Sequence, residues 1–205
     1  MAIISKYWLN WNTNDNVWWY NWTSTVNVNW VAWKLNQAGS FNWTTSRIDL
    51  PDNSSKINWL STVSISCLVK LDTQFTSATW SIYSATNWWI WLWNHSWLSF
   101  SNGFAIYSWW SWRVCSSTSL LSVWLHHIVW TFNWNQLKLY IDWILNNTTN
   151  HAWTIVQNAW TEYIWHHLEN LMPPPNWTID EVIIYNNTLT PAEIKNQYAF
   201  YKWFI

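Results

Sequence analysis

The sequence predicts an all-β protein built from two antiparallel sheets packed as a sandwich, followed by one short C-terminal helix. Short segments in which apolar and polar residues alternate recur along the chain and are separated by turn-forming residues. Many short strands at regular spacing with a single terminal helix are typical of a β-sandwich. No internal repeat or linker interrupts this pattern, so residues 1–205 are predicted to form a single domain.

The clearest hairpin of the sequence lies between Leu121 and Trp143. One face of its first strand is predicted to carry Val123, Leu125, His127, Val129 and Thr131. In its second strand, Leu137, Leu139 and Ile141 alternate with Lys138, Tyr140 and Asp142. This period of two predicts half-buried antiparallel strands. The turn must fall at Asn133-Trp134-Asn135, where tryptophan is unexpected because tight hairpin turns favour residues that adopt positive φ.

The remaining strands are predicted in chain order from the same alternation. They cover residues 1–9, 30–34, 38–42, 47–50 and 61–71, several short strands within 79–100 and 104–116, then 161–166 and 177–185. In the fifth of these, Val63, Ile65, Cys67 and Val69 fall on one face. Residues 10–29 and the stretch after the hairpin are polar without an apolar period, which predicts loops.

The C-terminal helix has a nearly complete start signal. Thr190 is placed as the N-cap, Pro191 as the first helical residue and Glu193 as the partner that closes a capping box. This combination predicts a helix beginning at Pro191.

Composition excludes several classes of function. Charged residues make up 9% of the chain, the net charge is −1 and no basic run occurs, so nucleic acid is not an expected partner. No apolar run is long enough to span a bilayer, so no membrane insertion is expected. The N-terminal residues MAIISKY carry no signal-peptide pattern. A fragment, another export route and an internal location all remain open.

Tryptophan and glycine occur in inverted proportions. The chain has 27 Trp and 2 Gly, whereas a chain of this length should contain on the order of 14 glycines. Tryptophan follows asparagine at Asn10, Asn21, Asn42, Asn58, Asn87, Asn133 and Asn176, and it follows Asp142. If glycine replaced tryptophan, these dipeptides would become Asn-Gly and Asp-Gly, the strongest hairpin signals.

We therefore interpret most of these tryptophans as glycines written through the wrong genetic code. The codon UGA is read as tryptophan in one code and as glycine in another. The literal alternative, a tryptophan-rich binding surface, would require bulky residues at successive turns and a large exposed apolar area. Trp30 and Trp80 lie inside strand-like runs and are compatible with genuine tryptophan.

Five segments together resemble laminin-G-like domains of the concanavalin A-like lectin and glucanase jelly-roll class. They are YWLNWNTNDNVWWYNWT, WVAWKLNQAGSFNWTTSRIDLP, ISCLVKLD, LHHIVWTFNWNQLKLYIDW and NWTIDEVIIYNNTLTPAEI, spanning about residues 7–198. The resemblance implies a two-sheet antiparallel jelly roll. The family usually has tryptophan where this chain has Leu68 and Leu125. Tryptophan is therefore missing where the family uses it and present where the family uses glycine.

Glycoside hydrolysis by this fold would require paired carboxylates. The resemblance to glucanases would imply a Glu-x-Asp-x-x-Glu strand, in which two carboxylates on one face supply the nucleophile and the acid. The chain contains no such spacing, and the adjacent Asp180 and Glu181 are predicted to point to opposite faces. Nucleophile motifs and phosphate-binding loops are also absent. We expect no enzyme activity, with a hydrolase or lyase of this fold as a weaker alternative.

The resemblance also implies a structural Ca²⁺ site near the first loop and the closing strand. Asp15 and Asp180 match these two places. Calcium prefers six to eight oxygen ligands from carboxylates and carbonyls. Equally, Asp15 could be an ordinary turn residue and Asp180 a carboxylate held by a backbone amide or an arginine.

Histidines and cysteines are assigned structural roles. The neighbours in His126-His127 and in His166-His167 face opposite ways on a strand, so neither pair can chelate one ion. Packed, hydrogen-bonded histidines are expected instead. Cys67 lies mid-strand, and a buried free thiol is favoured over a disulfide with Cys115.

Because of this resemblance, the predicted function is non-enzymatic recognition of a carbohydrate or another cell-surface ligand. Candidate binding loops are residues 10–29, 87–96 and 107–113, with Tyr107, Arg113 and His95 as candidate ligand contacts. The alternative is a structural or adhesion module of a virion or surface assembly, with protein neighbours and no sugar pocket. An extracellular, cell-surface or virion location is expected in either case.

Overall fold

The structure, a computed structural model, describes residues 3–7, 24–33, 36–41, 46–50, 60–72, 80–85, 90–94, 102–108, 111–119, 121–150, 162–167 and 177–203. Within these ranges the chain forms fifteen strands and one helix. The strands are arranged in two antiparallel sheets, as the sequence predicts.

The eight-stranded sheet contains the predicted hairpin at one end. Its strands are β1 (Ile3–Tyr7), β3 (Val28–Trp33), β4 (Asn36–Phe41), β6 (Thr62–Leu71), β11 (Leu125–Asn133), β12 (Gln136–Ile141), β13 (Ile144–Asn150) and β15 (Trp177–Tyr185). Their order is β13-β12-β11-β6-β15-β4-β3, and β1 also pairs with β15. The central strands β6, β11 and β15 come from distant parts of the chain, so this sheet assembles through long-range pairing.

The seven-stranded sheet is formed by the shorter strands. They are β2 (Ser24–Val26), β5 (Arg47–Leu50), β7 (Trp80–Ala85), β8 (Ile90–Asn94), β9 (Asn102–Ser108), β10 (Ser111–Ser116) and β14 (Glu162–His167). Their order is β10-β9-β8-β7-β14-β5-β2. The alternation of strands between the two sheets along the chain gives the predicted jelly-roll sandwich.

The main core lies between the two sheets. The seven-stranded sheet contributes Ile48, Leu50 and Cys115 to it. The eight-stranded sheet contributes alternate residues of its central strands: Val63, Ile65, Cys67, Val69, Leu71, Ile128, Trp130, Phe132, Leu137, Leu139, Trp177, Ile179, Val182 and Ile184. The predicted inward face of β6 is therefore confirmed. Apolar area removed from water, at about 25 cal/mol per Å², is the main stabilising contribution of such a core.

The helix α1 (Pro191–Lys202) covers the outer face of the eight-stranded sheet. It begins as predicted: the Thr190 side chain accepts a hydrogen bond from the Glu193 amide, and the Glu193 side chain accepts one from the Thr190 amide. A second, smaller core of Val129, Tyr140, Ile183, Tyr185, Leu189 and Ile194 lies beneath it. All residues from His126 to Phe132 are consequently buried on both faces, which corrects the expectation of a half-buried hairpin.

Two predicted loops are partly strand. Residues 24–29 form β2 and the start of β3, and the polar stretch after the hairpin forms β13. β2, β3 and β13 each lie at the end of a strand order. Because edge strands are not buried on both faces, they need no apolar period, so the sequence pattern missed β2, β13 and the first two residues of β3.

No helix among the described residues is long and apolar enough to cross a membrane.

Candidate functional site

Two of the predicted ligand contacts lie on one hairpin at the edge of the seven-stranded sheet. Tyr107 belongs to β9 and Arg113 to β10, the outermost strand in the order. The segment predicted as a loop from 107 to 113 is mostly strand, with only residues 109–110 connecting β9 to β10. Tyr107 pairs with Trp112, and Arg113 pairs with Ile106. Successive cross-strand pairs alternate between faces, so the backbone register assigns Tyr107 and Arg113 to opposite faces of the sheet.

The third predicted contact, His95, lies outside the described residues. Its chain neighbour Asn94 ends β8 and pairs with Asn102 at the start of β9. Tyr107 lies five residues further along β9. At about 3.4 Å per residue, the Asn94 end of β8 is roughly 17 Å from Tyr107 along the strand. The topology therefore does not bring the end of β8 and the β9–β10 hairpin together. The predicted loop 87–96 also contains the strand β8.

Asp180, the second predicted calcium ligand, is fully buried in β15. Its Oδ1 accepts a hydrogen bond of 2.8 Å from the Glu181 amide. The pairing of β15 with β6 is interrupted between Asp180 and Ile183, and Glu181 has a φ of 52°. This bulge breaks the alternation that was expected to place Asp180 and Glu181 on opposite faces. Glu181 accepts a hydrogen bond from the Tyr201 hydroxyl of α1, so Glu181 lies on the helix side of the sheet.

The bulge lies where the pairing partner of β15 changes from β4 to β1. On one side of it, Ile179 pairs with Gly39 of β4, and on the other side Val182 pairs with Tyr7 of β1. β1 ends at Tyr7, whose partner Val182 lies two residues along β15 from Asp180. Asp15 follows within the next stretch of chain, outside the described residues.

The donor set near Asp180 is incomplete in the part of the chain that the structure describes. No group of three or more His, Cys, Asp or Glu residues that could hold a metal ion occurs there. One oxygen of Asp180 is already engaged by a backbone amide. Since Ca²⁺ prefers six to eight oxygen ligands, a site at Asp180 would need further oxygens from other parts of the chain.

A buried polar cluster lies between the eight-stranded sheet and the helix, and it was not predicted. Ser66 Oγ lies 2.9 Å from His127 Nε2 and 3.3 Å from Gln197 Oε1. Gln197 Nε2 donates to the hydroxyl of Tyr185 at 2.9 Å. We name these four residues the helix-contact cluster. They join β6, β11, β15 and α1 through one chain of hydrogen bonds.

The hydrogen bonds of the Ser66 hydroxyl assign the tautomer of His127. The Ser66 hydroxyl has a single proton, and it donates that proton to Gln197. Its oxygen must therefore accept the bond from the Nε2–H of His127. Nδ1 is then the unprotonated ring nitrogen, and among the described residues it has no hydrogen-bond partner. Burial lowers the pKa of His127 to about 4, against smaller opposing contributions from Asp142 and Gln197.

Aromatic rings of the helix enclose His127. The Tyr201 ring lies 5.2 Å from the imidazole between centroids, and the Tyr198 ring lies 6.4 Å away in a stacked arrangement. These rings contribute apolar packing around His127, which is fully buried, so a charged imidazolium there would be desolvated.

His126 has a separate environment from His127. Its Nδ1 lies 2.7 Å from Asp142 Oδ2, and its Nε2 lies 3.0 Å from Ser122 Oγ. The other oxygen of Asp142 accepts a bond of 3.0 Å from the backbone amide of His127. The prediction that these histidines are packed and hydrogen-bonded is confirmed. His166 and His167 lie in β14, where the backbone alone is described.

Glu181 links the two ends of the described chain. Its Oε2 accepts a bond of 3.3 Å from the Tyr201 hydroxyl and lies 3.3 Å from Lys6 Nζ. Burial is the main reason why the pKa of Tyr201 is raised, and it also raises the pKa of Tyr185 to about 12. These hydroxyls therefore remain protonated throughout the physiological range.

The Ser66–His127 pair has the spacing of a nucleophile and its base, but not the setting. Both residues are fully buried beneath the helix. The carboxylate of Asp142 contacts the His127 backbone rather than its Nδ1. A catalytic serine needs substrate access and an oriented imidazole, so this geometry favours a structural role. The sequence signal was weak: it consisted only of the polar residues Thr62, Ser64, Ser66 and Lys70 at alternate positions of the strand.

Positive φ angles occur at the hairpin tryptophans. Trp134, the first of two residues between β11 and β12, has a φ of 54°. The amide of Asn135 bonds to the carbonyl of Asn133, which closes a tight turn around it. Asp142 and Trp143 are the two residues between β12 and β13, with φ of 52° and 66°. Two consecutive positive φ angles are typical of the hairpin turn that favours Asn-Gly and Asp-Gly.

The tryptophans of the described residues divide by environment. Trp124, Trp134, Trp143 and Trp203 are exposed. Trp130 and Trp177 are instead fully buried in the core, although the resemblance places glycine at both. The tryptophans of the two hairpin turns are therefore exposed, whereas Trp130 and Trp177 lie inside the strands β11 and β15.

Both cysteines are free and buried, as predicted for Cys67. Burial raises the pKa of each thiol, so both are protonated and unreactive at neutral pH.

The fold is similar to that of solved binding domains, although the sequence matches no protein-family profile and no curated protein. The binding domain of Paraclostridial Mosquitocidal Protein 1 matches with a TM-score of 0.81 at 13% identity, over 97% of this chain and 52% of that chain. The binding domain of botulinum neurotoxin DC in complex with rat synaptotagmin II matches with a TM-score of 0.79 at 14% identity, over 97% and 51%. This chain thus spans about half the length of these toxin domains.

A third structure matches along its whole length. Domain 4 of AbnA, a GH43 extracellular arabinanase from Geobacillus stearothermophilus, in complex with arabinotriose, has a TM-score of 0.66 at 17% identity, over 95% of this chain and 97% of that chain. At these identities the similarity concerns the fold, a β-sandwich that solved binding domains also have.

Proposed function

We propose that the chain is a non-enzymatic recognition module that binds a carbohydrate or another cell-surface ligand. The observation that carries this proposal is the match to the arabinanase domain, because the two chains correspond over nearly their full lengths and that domain is in complex with arabinotriose. The buried, structural setting of Ser66 and His127 and the absence of a Glu-x-Asp-x-x-Glu sequence fit a module without catalysis.

Glycan and protein ligands both have precedents in this fold. The binding domain of botulinum neurotoxin DC occurs in complex with SialylT and in complex with rat synaptotagmin II. A surface protein is therefore a second ligand class for this chain. We propose an extracellular, cell-surface or virion-associated location on the same grounds.

We further propose that residues 1–205 form one laminin-G-like domain. The segment WTIDEVIIY forms one buried strand at the centre of the eight-stranded sheet, and the capping box follows it directly. Both features support the motifs on which the resemblance rests.

A glycan array on the purified protein tests the proposed function. We expect binding to one glycan class, and loss of at least tenfold in affinity in Tyr107→Ala or Arg113→Ala. Because the two residues lie on alternate faces by register, we expect only one of these variants to lose affinity. No bound glycan together with a stable oligomer would contradict sugar recognition and favour the structural or adhesion module.

We also propose that Trp134 and Trp143 stand at positions that encode glycine. Positive φ costs an L-residue about 1–2 kcal/mol and glycine almost nothing, so both positions favour glycine. Sequencing the coding DNA tests this directly. UGA codons are expected at both positions, and UGG codons there would refute the decoding proposal.

Finally, we propose that Asp15 and Asp180 contribute to a structural Ca²⁺ site. The proposal is supported by the pairing of Tyr7 with Val182, which starts the Asp15-containing stretch next to the bulge. Bound calcium would tie the first loop to the closing strand by electrostatic attraction to the carboxylates.

A further inference from the structure

We propose that the contact between α1 and the eight-stranded sheet is an acid-sensitive latch, in which protonation of His127 releases the C-terminal half of α1. The two halves of α1 are attached to the sheet in different ways. The first half is attached by apolar packing, since Leu189 and Ile194 lie in the smaller core with Val129, Ile183 and Tyr185. The second half is attached through Gln197, Tyr198 and Tyr201, which all surround one imidazole.

Protonation has one available position on His127. Nε2 already carries its proton and donates it to Ser66, so a second proton must bind Nδ1. Nδ1 is buried and has no hydrogen-bond partner among the described residues. A charged imidazolium there would have an unsatisfied donor in an apolar setting, which is strongly unfavourable. Moving the helix away admits water to Nδ1 and removes this penalty.

The groups that face His127 decide the direction of the response. From the β12–β13 turn comes the carboxylate of Asp142, which favours the charged ring but is engaged by the His127 amide and by His126. From α1 come the neutral Tyr198 and Tyr201, whose pKa values are raised by burial. Desolvation has a larger effect on the pKa of His127 than the attraction of Asp142. The pKa of His127 is therefore lowered to about 4.

Other charged groups lie further along the same contact. From β15 come the neutral Tyr185, which reaches the cluster through Gln197, and Glu181, which bonds to Tyr201 and is paired with Lys6 of β1. At the start of α1, the half-buried Glu193 closes the capping box. Its own protonation would weaken the first turn rather than the second half of the helix.

The latch has a defined pH window. An imidazole exposed by helix release takes up a proton below its ordinary pKa of 6.5, whereas the buried one does so only near 4. Above pH 6.5, the closed state, in which α1 covers His127, therefore has its full free-energy advantage over the open state. This advantage decreases as the pH falls toward 4. The opening equilibrium should rise on the order of 100-fold between pH 7 and pH 4.

Residue-resolved amide hydrogen exchange on the full chain tests the latch, after correction for the pH dependence of intrinsic exchange. We expect the backbone amides of Tyr198 and Tyr201 to lose protection from exchange as the pH falls from 6.5 to 4. The amides of β6 and β11 should keep their protection. His127→Gln, which is neutral at every pH, should remove this response. His126→Gln is the matched control, because it removes the neighbouring imidazole and should keep the response.

The wild-type protein alone also decides the proposal if a variant fails to fold. Titration of the His127 ring resonances by NMR must follow the loss of helix protection at the same pH. A His127 that titrates near its ordinary pKa while α1 stays protected, or an acid response that persists in His127→Gln, would overturn the proposal.

Discussion

Asp142 and Trp143 are consecutive residues with positive φ, and together they form the turn between β12 and β13. Aspartate adopts this conformation more readily than most residues, and the Asp142 carboxylate is held by His126 and by the His127 amide of β11, whereas tryptophan gains nothing from the conformation. The turn therefore has the backbone of an Asp-Gly hairpin with tryptophan in the glycine position. Lys195 lies over the Trp143 ring at 4.8 Å and partly offsets the steric penalty.

Replacing Trp143 with glycine should stabilise the protein. The substitution relieves a steric penalty of about 1–2 kcal/mol. It also loses the contact with Lys195 and makes the unfolded chain more flexible, and both changes are destabilising. The net gain in the free energy of unfolding is about 0.5 kcal/mol. Urea unfolding at pH 7 measures this difference. Trp124→Gly is the control, because Trp124 is more exposed at 73% and is not among the residues with positive φ. Equal effects of the two substitutions would show that the turn does not favour glycine.

Removing the helix cap should destabilise the protein by about 1 kcal/mol. Thr190→Ala removes the oxygen that accepts the Glu193 amide, whereas Thr190→Ser retains it. Hydrogen bonds from Thr190 also lower the pKa of Glu193. The stabilisation by the carboxylate is therefore present at neutral pH and declines as the pH falls through that lowered pKa. Thermal unfolding of both variants measures the effect, and a serine variant as unstable as the alanine variant would contradict it.

The His127 environment predicts a stability that depends on pH. Because the folded pKa of about 4 lies below the ordinary value of 6.5, the unfolded chain binds a proton first as the pH falls. Stability is complete above pH 6.5 and declines toward pH 4, by about 3 kcal/mol from this residue.

Urea unfolding at pH 7 and pH 4 measures this loss. His127→Gln should lose about 3 kcal/mol less than the wild type over the same interval. Parallel losses in both proteins would assign the acid sensitivity to carboxylates instead.

Chelation tests the proposed calcium site. If Ca²⁺ is present at about 100 times its dissociation constant, it adds about 2.7 kcal/mol of stability, so EGTA should lower the melting temperature by roughly 5–10 °C. Asp15→Ala should melt at the chelated wild-type temperature and show no response to EGTA. Asp180→Ala is a poorer probe because Asp180 is buried and also bonds the Glu181 amide. A melting temperature unaffected by EGTA would exclude the site.

Local patterns predicted the central strands and the helix because each signal lies within a few residues. The alternation in β6 identified its inward face, and Thr190 with Glu193 identified the helix start. The edge strands β2 and β13 were missed because strands at the end of a sheet need no apolar pattern. Of the candidate ligand contacts, the sequence could name residue types only. It could not show that Tyr107 and Arg113 belong to successive cross-strand pairs.

The sequence by itself determined the sandwich class, the helix and the turns that favour glycine, because strand period, capping and turn chemistry are local properties of the chain. Only the tertiary structure decided that His127 is buried on the outer face, since that burial requires α1 to fold back over the sheet. The helix-contact cluster joins Ser66, His127 and Gln197 across three separate elements. Pairing of β11 with β6 and docking of α1 create this contact, and no local pattern encodes the distance between them.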